Sequence, residues 1–455
     1  MSTLSIKERA ALIASIAENG GEIIGAEELE TLLSSGKDLY TYDGFEPSGQ
    51  MHIAQGIVRA INVNKMIEVG FTFRMWVADW FGYLNNKMGG DLDKIKMVGK
   101  YFVEIWKASG MNLDKTEFLW TSDFVGQRWY WELVMKVAKA ITLKRALRTT
   151  AIMGRSDSDE LSAGQIFYPC MQIADIFGVM HAQVTQLGLD QQKVNVLARE
   201  VGEELGYWKP IIVSHGMLQG LQKPVELKIK ELKDKDIKIG EDSYIGAKII
   251  LRVNDLKPEV AHLSFLDKTN HSELRAILLK LWERIKYFDL EITYVRNEAG
   301  EYLLKIQENT DERKISMKMS KSKPDTAIFM TDPPEEVTRK IMKAYCPEGI
   351  VEDNPIFAYC QQVIFNAKYL KRAKPLLENG MFIVKREEKF GGNISFNSYD
   401  ELAVCYLDKK LFPLDLKNAV IGYLNELLQP VRDHFANNKE AKKILEKVKS
   451  YETTR

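Results

Sequence analysis

The sequence contains few of the residues that build disulfide frameworks or metal sites. It has four cysteines, and no two of them form a Cys-x-x-Cys pair. Its six histidines are scattered, without a metal-ligand spacing such as His-x-x-x-His. We therefore expect no structural zinc, no metal site and no disulfide framework, as suits the reducing cytoplasm.

Long apolar runs and a charge excess are also absent. No apolar stretch is long enough to span a membrane, and the amphipathic, partly acidic N-terminus does not resemble a signal or transit peptide. Lysine plus arginine and aspartate plus glutamate each number 63, so the formal net charge is zero. This balance disfavours a nucleic-acid-binding surface over the whole protein but allows a local basic patch. We expect a cytoplasmic protein without membrane association.

Strands and helices alternate through the first half of the chain. The stretch LYTYDGFEPSGQMHIAQGIVRAINVNKMIEVG predicts a strand, a Gly/Pro loop and a helix. The apolar run from Phe73 to Ala78 predicts a buried parallel strand. Such alternation indicates an open α/β sheet, in which ligands bind beyond the carboxyl ends of the strands.

The pattern changes between about Gly220 and Lys314. VELKIKEL and AKIILRV alternate as half-exposed strands do, SELRAILLKLWERIKYF has a helical apolar face, and LEITYVRNEAGEYLLKIQEN predicts a β-hairpin. We predict a small α+β unit inserted into the main fold. After this segment, helical stretches dominate the chain.

The first candidate site is the loop YDGFEPSGQMHIAQG, which begins at Tyr42. Its glycines would let the backbone approach a phosphate, and the following helix would direct its N-terminal amides at the anion. A histidine at that helix start, His52, can donate to a phosphoryl oxygen. An ordinary strand-to-helix loop remains an equal alternative on this stretch alone.

The second candidate is the stretch YPCMQIAD. Pro169 suits the first turn of a helix, which would place Tyr168, Gln172 and Asp175 on one face at i, i+4 and i+7. A phenol, an amide and a carboxylate between apolar neighbours would be costly to bury unpaired. They form either a solvated stripe or a site for a polar small molecule, and the apolar flanks favour the site.

The third candidate is the stretch KMSKS, in which Lys318 and Lys321 are separated by small hydroxyl residues. Lysine is a point charge on a flexible stem, so this pair could follow a polyphosphate as it departs. A solvated basic loop is the alternative interpretation.

Together these stretches resemble the class I aminoacyl-tRNA synthetases. HIAQ is similar to the first signature of that class and KMSKS matches the second. YDGFEPSG, VADW, LNNKMGGDL, YPCMQIADIF, DQQKVNVLARE, KAYCP, KFGGN and PLDLKNAV resemble the tyrosyl-tRNA synthetases of the archaeal and eukaryotic type, in family order. The resemblance spans most of the chain from Tyr42 to Tyr451, apart from the inserted segment.

The resemblance implies a fold and a division into domains. We expect a Rossmann-like parallel-sheet catalytic domain, an inserted α+β unit and a helical anticodon-binding domain. We predict that residues 1–220 form the first part of the catalytic domain and residues 221–314 the insert. Residues 315–335 would be the KMSKS loop that completes the catalytic domain, and residues 336–455 the anticodon-binding domain.

The resemblance also implies a reaction. The enzyme would join L-tyrosine to ATP as tyrosyl-adenylate, with Mg²⁺ accompanying the nucleotide, and then transfer tyrosine to the terminal adenosine of tRNA(Tyr). The tyrosine carboxylate is already a nucleophile, so the protein's work is positioning and charge stabilisation. A homodimer is implied, as is usual in the family.

Site roles are carried over residue by residue. His52, Lys318 and Lys321 would be catalytic. The residues expected at ATP are Gly44, Ser48, Gly49, His52, Gln55, Lys318 and Lys321. Those expected at tyrosine are Tyr42 and Asp175 at the phenol, Tyr168, Gln172 and Gln191 at the ammonium, and Asp79. Phe390 would stack on an anticodon base and Asp415 would accept from a base edge, although a core aromatic and a helix cap are alternatives on local sequence.

The sequence departs from the family pattern at three positions. Gln55 stands where many class I enzymes have a second histidine, Gln192 replaces an arginine, and Gln183 occupies an aspartate position. The inserted segment has no counterpart in the resemblance, and we hypothesise that it contacts tRNA or alters the motion of the lysine loop.

Three other functions compete with this interpretation. A tryptophanyl enzyme of the same fold is the nearest, and Tyr42 and Asp175 disfavour it. A catalytically silent relative that binds RNA is disfavoured by His52, Lys318 and Lys321. A generic nucleotide-binding regulator would need neither the lysine loop nor the amino-acid pocket.

Overall fold

The computed structural model describes residues 4–149, 161–223, 261–265, 290–296, 302–308, 319 and 324–451. The chain divides into two compact units. One comprises residues 1–223 and 318–455, and the other comprises residues 224–317. Our division into functional domains remains a prediction.

The helices of the first unit lie before, between and after the strands of its main sheet. In chain order they are α1 (Ile6–Ala17), α2 (Leu29–Ser34), α3 (Arg59–Glu68), α4 (Asp79–Leu84), α5 (Leu92–Ala108), α6 (Thr121–Phe124), α7 (Arg128–Ala140), α8 (Leu143–Thr149), α9 (Ala163–Ala174), α10 (Gln192–Val201), α11 (Pro334–Lys343), α12 (Pro355–Tyr359), α13 (Tyr399–Leu407), α14 (Pro413–Asn437) and α15 (Lys439–Lys449). Among the described residues, no helix has the length and apolarity to cross a membrane.

The main sheet has six strands, and the chain adds strands first on one side of β2 (Leu39–Phe45) and later on the other. The strands are β1 (Glu22–Ile24), β2 (Leu39–Phe45), β3 (Phe71–Val77), β4 (Thr116–Trp120), β5 (Val184–Thr185) and β6 (Ile211–Ser214), in the spatial order β1-β6-β5-β2-β3-β4. All neighbours are parallel except β1 with β6. The chain builds outward from β2 through β3 and β4 and later continues on the other side of β2 with β5 and β6. The crevice between β2 and β5 is therefore a topological switch point, where α/β sheets bind ligands.

The prediction of a buried parallel strand around Phe73 is confirmed. β3 pairs with β2 and β4, and Phe73, Met75 and Val77 have no exposed surface. These three residues share one face of the strand, which is fully buried, whereas Thr72 and Arg74 on the other face are only partly buried.

The prediction that Pro169 lies in the first turn of its helix is wrong. α9 begins at Ala163 and contains Pro169 in its interior. A reciprocal capping box between Ser162 and Gln165 starts the helix six residues before the proline. At its C-terminal end α9 continues into a π-helical turn, Asp175–Val179.

The C-terminal part of the first unit is helical. α14, a helix of 25 residues, buries Leu416, Val420, Leu424 and Leu428 along one face. A two-stranded antiparallel sheet packs beside it. Its strands, β10 (Phe382–Val384) and β11 (Ile394–Phe396), follow the three strands of the other unit in chain order.

Within residues 224–317 the structure describes three strands. They are β7 (Ala261–Phe265), β8 (Leu290–Arg296) and β9 (Tyr302–Glu308), antiparallel in the order β7-β9-β8. β8 and β9 pair along their full lengths, which confirms the predicted hairpin. The predicted strands VELKIKEL and AKIILRV and the predicted helix SELRAILLKLWERIKYF lie outside the described residues.

Candidate active site

A cavity of about 320 Å³ lies at the carboxyl ends of β2, β3 and β5. Residues from β2, the loop after it, α3, α9 and the segments after β5 and β6 surround it. The residues that line it include Tyr42, Asp43, Gly44, Glu46, Ser48, His52, Gln55, Arg59, Lys87, Tyr168, Gln172, Gly188, Asp190, Gln191, His215 and Met319. The sheet's switch point and this cavity therefore coincide.

Buried polar groups without partners lie at one end of the cavity and behind its wall. Within the described part of the chain, the Tyr42 hydroxyl and both carboxylate oxygens of Asp175 are buried and make no hydrogen bond. Burial raises the pKa of both groups above their ordinary values; for Tyr42 the nearby Gln172 side chain opposes the rise without meeting hydrogen-bond geometry. Buried polar atoms without partners are costly, so this end is suited to a ligand that supplies a donor and an acceptor together.

Two further buried donors lie beside Asp175. The Tyr130 hydroxyl and the Trp76 indole N–H lower the pKa of this carboxyl, against the larger opposite effect of burial. Neither meets hydrogen-bond geometry with it. Asp175 belongs to the π-helical turn and, unlike Tyr42, does not line the open cavity as the structure describes it.

The polar face of α9 is buried, so it is not a solvated stripe. Tyr168 and Gln172 line the cavity. The Tyr168 hydroxyl donates to Glu46 Oε1 at 2.6 Å, and Glu46 also accepts from Asn85 Nδ2 at 3.1 Å. Lys87 Nζ lies 3.5 Å from the same carboxylate. Glu46, in the loop after β2, thus holds one wall of the cavity, and it was missed because only the glycines, Ser48 and His52 of that loop were considered.

Asp79 is turned away from this cavity. Its carboxylate accepts from the backbone N–H of Trp80 at 3.0 Å and of Ser122 at 3.1 Å, and from the Ser122 hydroxyl. Burial raises its pKa, and the Ser122 contacts oppose the rise. Asp79 is not among the described cavity-lining residues, so a role in binding tyrosine remains a prediction.

Five of the predicted phosphate-binding residues lie between the end of β2 and the start of α3. Gly44 in β2, Ser48 and His52 in the loop after it, and Gln55 just beyond the loop line the cavity. Gly49, with φ +99°, turns the chain before the helix. A π-helical turn, Ala54–Val58, follows and leads into α3.

The segment after the KMSKS stretch packs against this loop. His52 and Phe329 form an antiparallel bridge, and Ile53 N–H donates to the Ile328 carbonyl at 2.8 Å. A Cβ on Gly56 would lie 2.3 Å from Met330 Sδ, so glycine lets the buried Met330 side chain pack closely here. The two signature regions are therefore adjacent in the fold. Met319 is buried and lines the cavity, whereas Lys318 and Lys321 lie outside the described residues.

A second polar cluster extends from β2 across β5 to β6 at the carboxyl ends of these strands. Asp43, Arg59 and Gln186 are almost fully buried, and Arg59 forms an ion pair with Asp43. Arg59 also donates to the Gln186 side chain and, at 3.2 Å, to His215 Nδ1. Sequence reasoning missed all four residues, although Arg59 lies one helical turn after Gln55.

The two anticodon candidates are both on the C-terminal part, in different elements. Phe390 is 60% exposed, which rules out a core aromatic, and Lys389 Nζ lies 5.0 Å from its ring centroid. Asp415 is not the helix cap, because Phe412 holds that position and Asp415 lies in the first turn of α14. Arg386 donates to the Gly392 carbonyl at 2.9 Å.

Arg386 also connects the Phe390 hairpin to the start of α14. Its Nη1 lies 3.5 Å from the Lys410 carbonyl, just before that helix. Phe412, which sequence reasoning did not single out, is 54% exposed at the helix start. The apolar pattern of the segment alone does not indicate that the Phe412 side chain is exposed.

The fold and the site define a class I aminoacyl-tRNA synthetase: a parallel sheet with a cleft at its switch point, a histidine-led helix and an adjoining KMSKS segment. The family model described as "tRNA synthetases class I (W and Y)" matches residues 34–224 and 302–429 and leaves out most of the inserted segment. The chain belongs to this family.

Relatives that match nearly the full length of the chain include tyrosine–tRNA ligases. The chain is 40% identical over 453 residues to tyrosine–tRNA ligase 1, cytoplasmic, of Arabidopsis thaliana, covering 99% of this chain and 90% of that one. The tyrosyl-tRNA synthetase of Leishmania major in complex with tyrosinol is similar in structure, with a TM-score of 0.70 and 33% identity. The match covers 99% of this chain and 61% of the Leishmania chain.

An archaeal structure is similar over the whole length of both chains. The tyrosyl-tRNA synthetase of Pyrococcus horikoshii complexed with L-tyrosine has a TM-score of 0.72 and 29% identity, covering 97% of this chain and 100% of that one. The chain is thus a member of the archaeal and eukaryotic tyrosyl-tRNA synthetases, as its motifs predicted.

Proposed function

We propose that the chain forms tyrosyl-adenylate and pyrophosphate from L-tyrosine and ATP in the described cavity, and then transfers the tyrosyl group to the 3′-terminal adenosine of tRNA(Tyr). The observation that carries the proposal is the pair of unpartnered groups at one end of the cavity, the Tyr42 hydroxyl and the Asp175 carboxylate. A phenolic hydroxyl can donate to Asp175 and accept from Tyr42 at once.

The same pair supports selectivity for tyrosine. Phenylalanine would fill the space and leave both groups buried and unpaired, at a cost of about 1–3 kcal/mol for each group. The indole of tryptophan has a donor but no acceptor, so Tyr42 would remain unpaired. Tyr168, Gln172 and Gln191 line the cavity and would hold the substrate's ammonium and carboxylate ends.

Activation requires no enzyme nucleophile. The tyrosine carboxylate attacks the α-phosphorus of ATP, the bond to the bridging oxygen breaks, and pyrophosphate departs with the electron pair. We assign the phosphates to Ser48, Gly49, His52 and Gln55 at the start of the α3 segment, where the helix amides favour an anion. The lysines of the KMSKS stretch would stabilise the charge that develops on pyrophosphate.

Mg²⁺ accompanies the nucleotide in this proposal. Within the described ranges, no group of three His, Cys, Asp or Glu side chains could hold a metal ion. Asp43 and Glu46 line the cavity but are bonded to Arg59 and to Tyr168. The donor set therefore fits an ion carried by the ATP phosphates and water rather than by a protein cage.

We propose that the C-terminal part recognises the anticodon through Phe390 and Asp415. The exposed ring of Phe390 offers a stacking surface, and Asp415 is a half-exposed carboxylate near the start of α14. Exposed Phe412 at the same helix start supports this location.

We also propose a homodimer, and a location in the cytoplasm as in the Arabidopsis relative's name. Large apolar side chains on α7 and α8 are 38% to 60% exposed: Trp129, Trp131, Met135, Leu143 and Leu147. A concentration of this kind is typical of a surface that another protein covers.

Amino-acid selectivity tests the proposed function. Purified protein, ATP and tRNA would be supplied with tyrosine, tryptophan or phenylalanine in turn, and both ATP–pyrophosphate exchange and aminoacylation would be measured. We expect activity with tyrosine only. Activity with tryptophan would identify the other specificity of the family, and no exchange with any amino acid would identify a silent relative.

A further inference from the structure

Asp43, Arg59, Gln186 and His215 form a connected network, named here the Arg59 network. Asp43 lies in β2, Arg59 begins α3, Gln186 follows β5 and His215 follows β6. The guanidinium contacts the Asp43 carboxylate and the Gln186 side-chain oxygen, and its Nη1 donates to the Gln186 backbone carbonyl at 3.2 Å. The network therefore joins three strands and the signature helix at the floor of the cavity.

The network determines which nitrogen of His215 carries the proton. Because Arg59 donates to Gln186 Oε1, the amide nitrogen of Gln186 must face the other way, and it lies 3.2 Å from His215 Nδ1. Arg59 Nη2 lies 3.2 Å from the same nitrogen and 3.5 Å from Nε2. Guanidinium and amide N–H groups are donors only. Two of them face Nδ1 at 3.2 Å and a single longer contact faces Nε2, so Nδ1 is the better-placed acceptor and we assign the hydrogen to Nε2.

The surroundings keep this imidazole uncharged. Burial, and then the charge of Arg59, hold the pKa of His215 well below its usual range. The charged groups around the ring are those of the Arg59 network, Asp190 in the cavity, and Glu18 and Lys65 in a small second cavity that His215 also lines. At neutral pH the ring therefore offers one donor, Nε2–H.

The ring lines the cavity just beyond β6, two strands across the sheet from Tyr42 in β2. Backbone bonds tie its segment to the one after β5: His215 N–H donates to Leu187 at 2.9 Å, and Leu189 N–H donates to His215 at 3.0 Å. A Cβ added to Gly188, between them, would lie 2.7 Å from Asp190 Oδ1 and 3.6 Å from His215 Cε1. Gly188 thus leaves space where a donor, His215, and an acceptor, Asp190, stand close together.

We propose that His215 binds the nucleoside part of ATP and of the adenylate by donating a hydrogen bond from Nε2–H, and that Asp43, Arg59 and Gln186 position it for this role. The proposal rests on the proposed function, because it assigns tyrosine to the Tyr42 end and the phosphates to the His52 loop. What remains for the His215 end is the nucleoside, whose ribose and base carry neutral acceptors.

Steady-state exchange kinetics provide the first test. We expect His215→Ala to raise the KM for ATP about five- to tenfold, the loss of one neutral hydrogen bond, with the KM for tyrosine within about twofold of wild type. His215→Gln retains an N–H near the position of Nε2 and should recover most of the affinity for ATP. His434→Gln is the matched control, because His434 pairs with Glu104 and does not line the cavity.

Two outcomes of these kinetics would overturn the inference. An unchanged KM for ATP in His215→Ala would remove the contact, and an equal rise in both KM values would indicate a structural role only. Absence of tyrosine-dependent exchange in the wild-type protein would instead count against the proposed function.

The tautomer provides a test that does not depend on activity. In the full chain labelled with ¹⁵N-histidine, the signals that disappear in His215→Gln should have the pattern of an Nε2–H imidazole. Adding ATP without tyrosine should shift that N–H resonance, and Arg59→Met should weaken the tautomer preference. An Nδ1–H imidazole, or an Nε2–H signal that ATP leaves unmoved, would refute the proposal.

Discussion

At the scale of single residues, the tyrosine end of the cavity depends on polar atoms that the protein leaves unpaired. Tyr42 and Asp175 come from β2 and from the π-helical turn after α9, and both are buried. Their desolvation is a cost that the free protein bears in advance and that a phenol recovers on binding. Selectivity in this proposal therefore arises from two side chains rather than from the size of the cavity.

Asp175→Asn tests this arrangement. The amide has nearly the same shape but no charge, so the hydrogen bond from the substrate phenol weakens. We expect the KM for tyrosine to rise about ten- to a hundredfold, the equivalent of about 1.5–3 kcal/mol for a bond to a charged group. Pyrophosphate exchange at varied tyrosine would measure it, and the KM for ATP in the same variant is the control. Tyrosine kinetics equal to wild type would refute the assignment of Asp175.

At the scale of elements, buried charge joins the signature helix to the sheet. The Asp43–Arg59 ion pair connects β2 to α3. Burial raises the pKa of the Asp43 carboxyl to about 7, although Arg59 opposes the rise. Buried pairs of this kind add little stability over apolar residues, whereas a lone buried charge is strongly destabilising. The pair is thus better explained by positioning than by stability.

Two variants separate stability from positioning. Asp43→Leu leaves Arg59 without its carboxylate and should destabilise the protein by about 3 kcal/mol. The double variant Asp43→Leu with Arg59→Met removes both charges and should regain most of that loss. Its KM for ATP should stay raised, because the Arg59 network is gone. Urea unfolding and exchange kinetics on the same samples would measure both. A double variant no more stable than the single one would contradict the argument.

A buried lysine makes the junction of α3 with α1 sensitive to pH. Lys65 donates to Ser15 Oγ at 3.0 Å, and burial lowers the pKa of Lys65 to about 8. The unfolded chain, with the usual lysine pKa of about 10.4, binds more protons between these values. Stability of the wild type therefore gains with rising pH across this window, and the charged lysine is a cost below pH 8.

Lys65→Met should remove that cost. We expect the variant to be more stable than wild type at pH 7 by roughly 2 kcal/mol, with the difference shrinking as the pH rises from 8 towards 10. Ser15 keeps its own bond to the Leu12 carbonyl, so no hydroxyl is orphaned. Urea unfolding of both proteins over this pH series would measure the effect. A difference independent of pH would contradict the linkage.

How much was predictable differed between elements. The apolar run around Phe73 was enough to predict a buried parallel strand. The stretch YDGFEPSG was enough to predict the loop that lines the cavity. The predicted start of α9 at Pro169 was wrong, because the Ser162 capping box sets the start of the helix and the helix tolerates the proline in its interior. The Arg59 network was not predictable, since its four members come from separate elements and only the fold brings them together.

At the scale of the whole molecule, the cavity and the proposed anticodon surface belong to different parts of one compact unit. Tyrosine activation needs only the cavity, whereas transfer needs bound tRNA. Phe390→Ala and Asp415→Asn should therefore leave tyrosine-dependent exchange within about twofold and lower aminoacylation kcat/KM about tenfold or more, as expected for losing one stacked base or one base-edge contact.

A comparison of two reactions measures this effect. Val404→Ala, which removes another exposed apolar side chain of the C-terminal part, is the matched control and should change neither reaction. Aminoacylation equal to wild type in both variants would place anticodon recognition elsewhere.

The exposed apolar faces of α7 and α8 are the proposed dimer surface. Met135 is 56% exposed, and Trp131 lies one turn before it on the same helix. If a second copy of the chain covers this surface, Met135→Glu places a charge among apolar side chains that offer it no partner. The dimer should then dissociate. Sedimentation equilibrium should then report about half the wild-type mass. Lys136→Glu, on the neighbouring position of α7, is the control for charge alone. A wild-type protein that is monomeric at micromolar concentration, or a Met135→Glu variant that remains dimeric, would show that this surface does not join two copies.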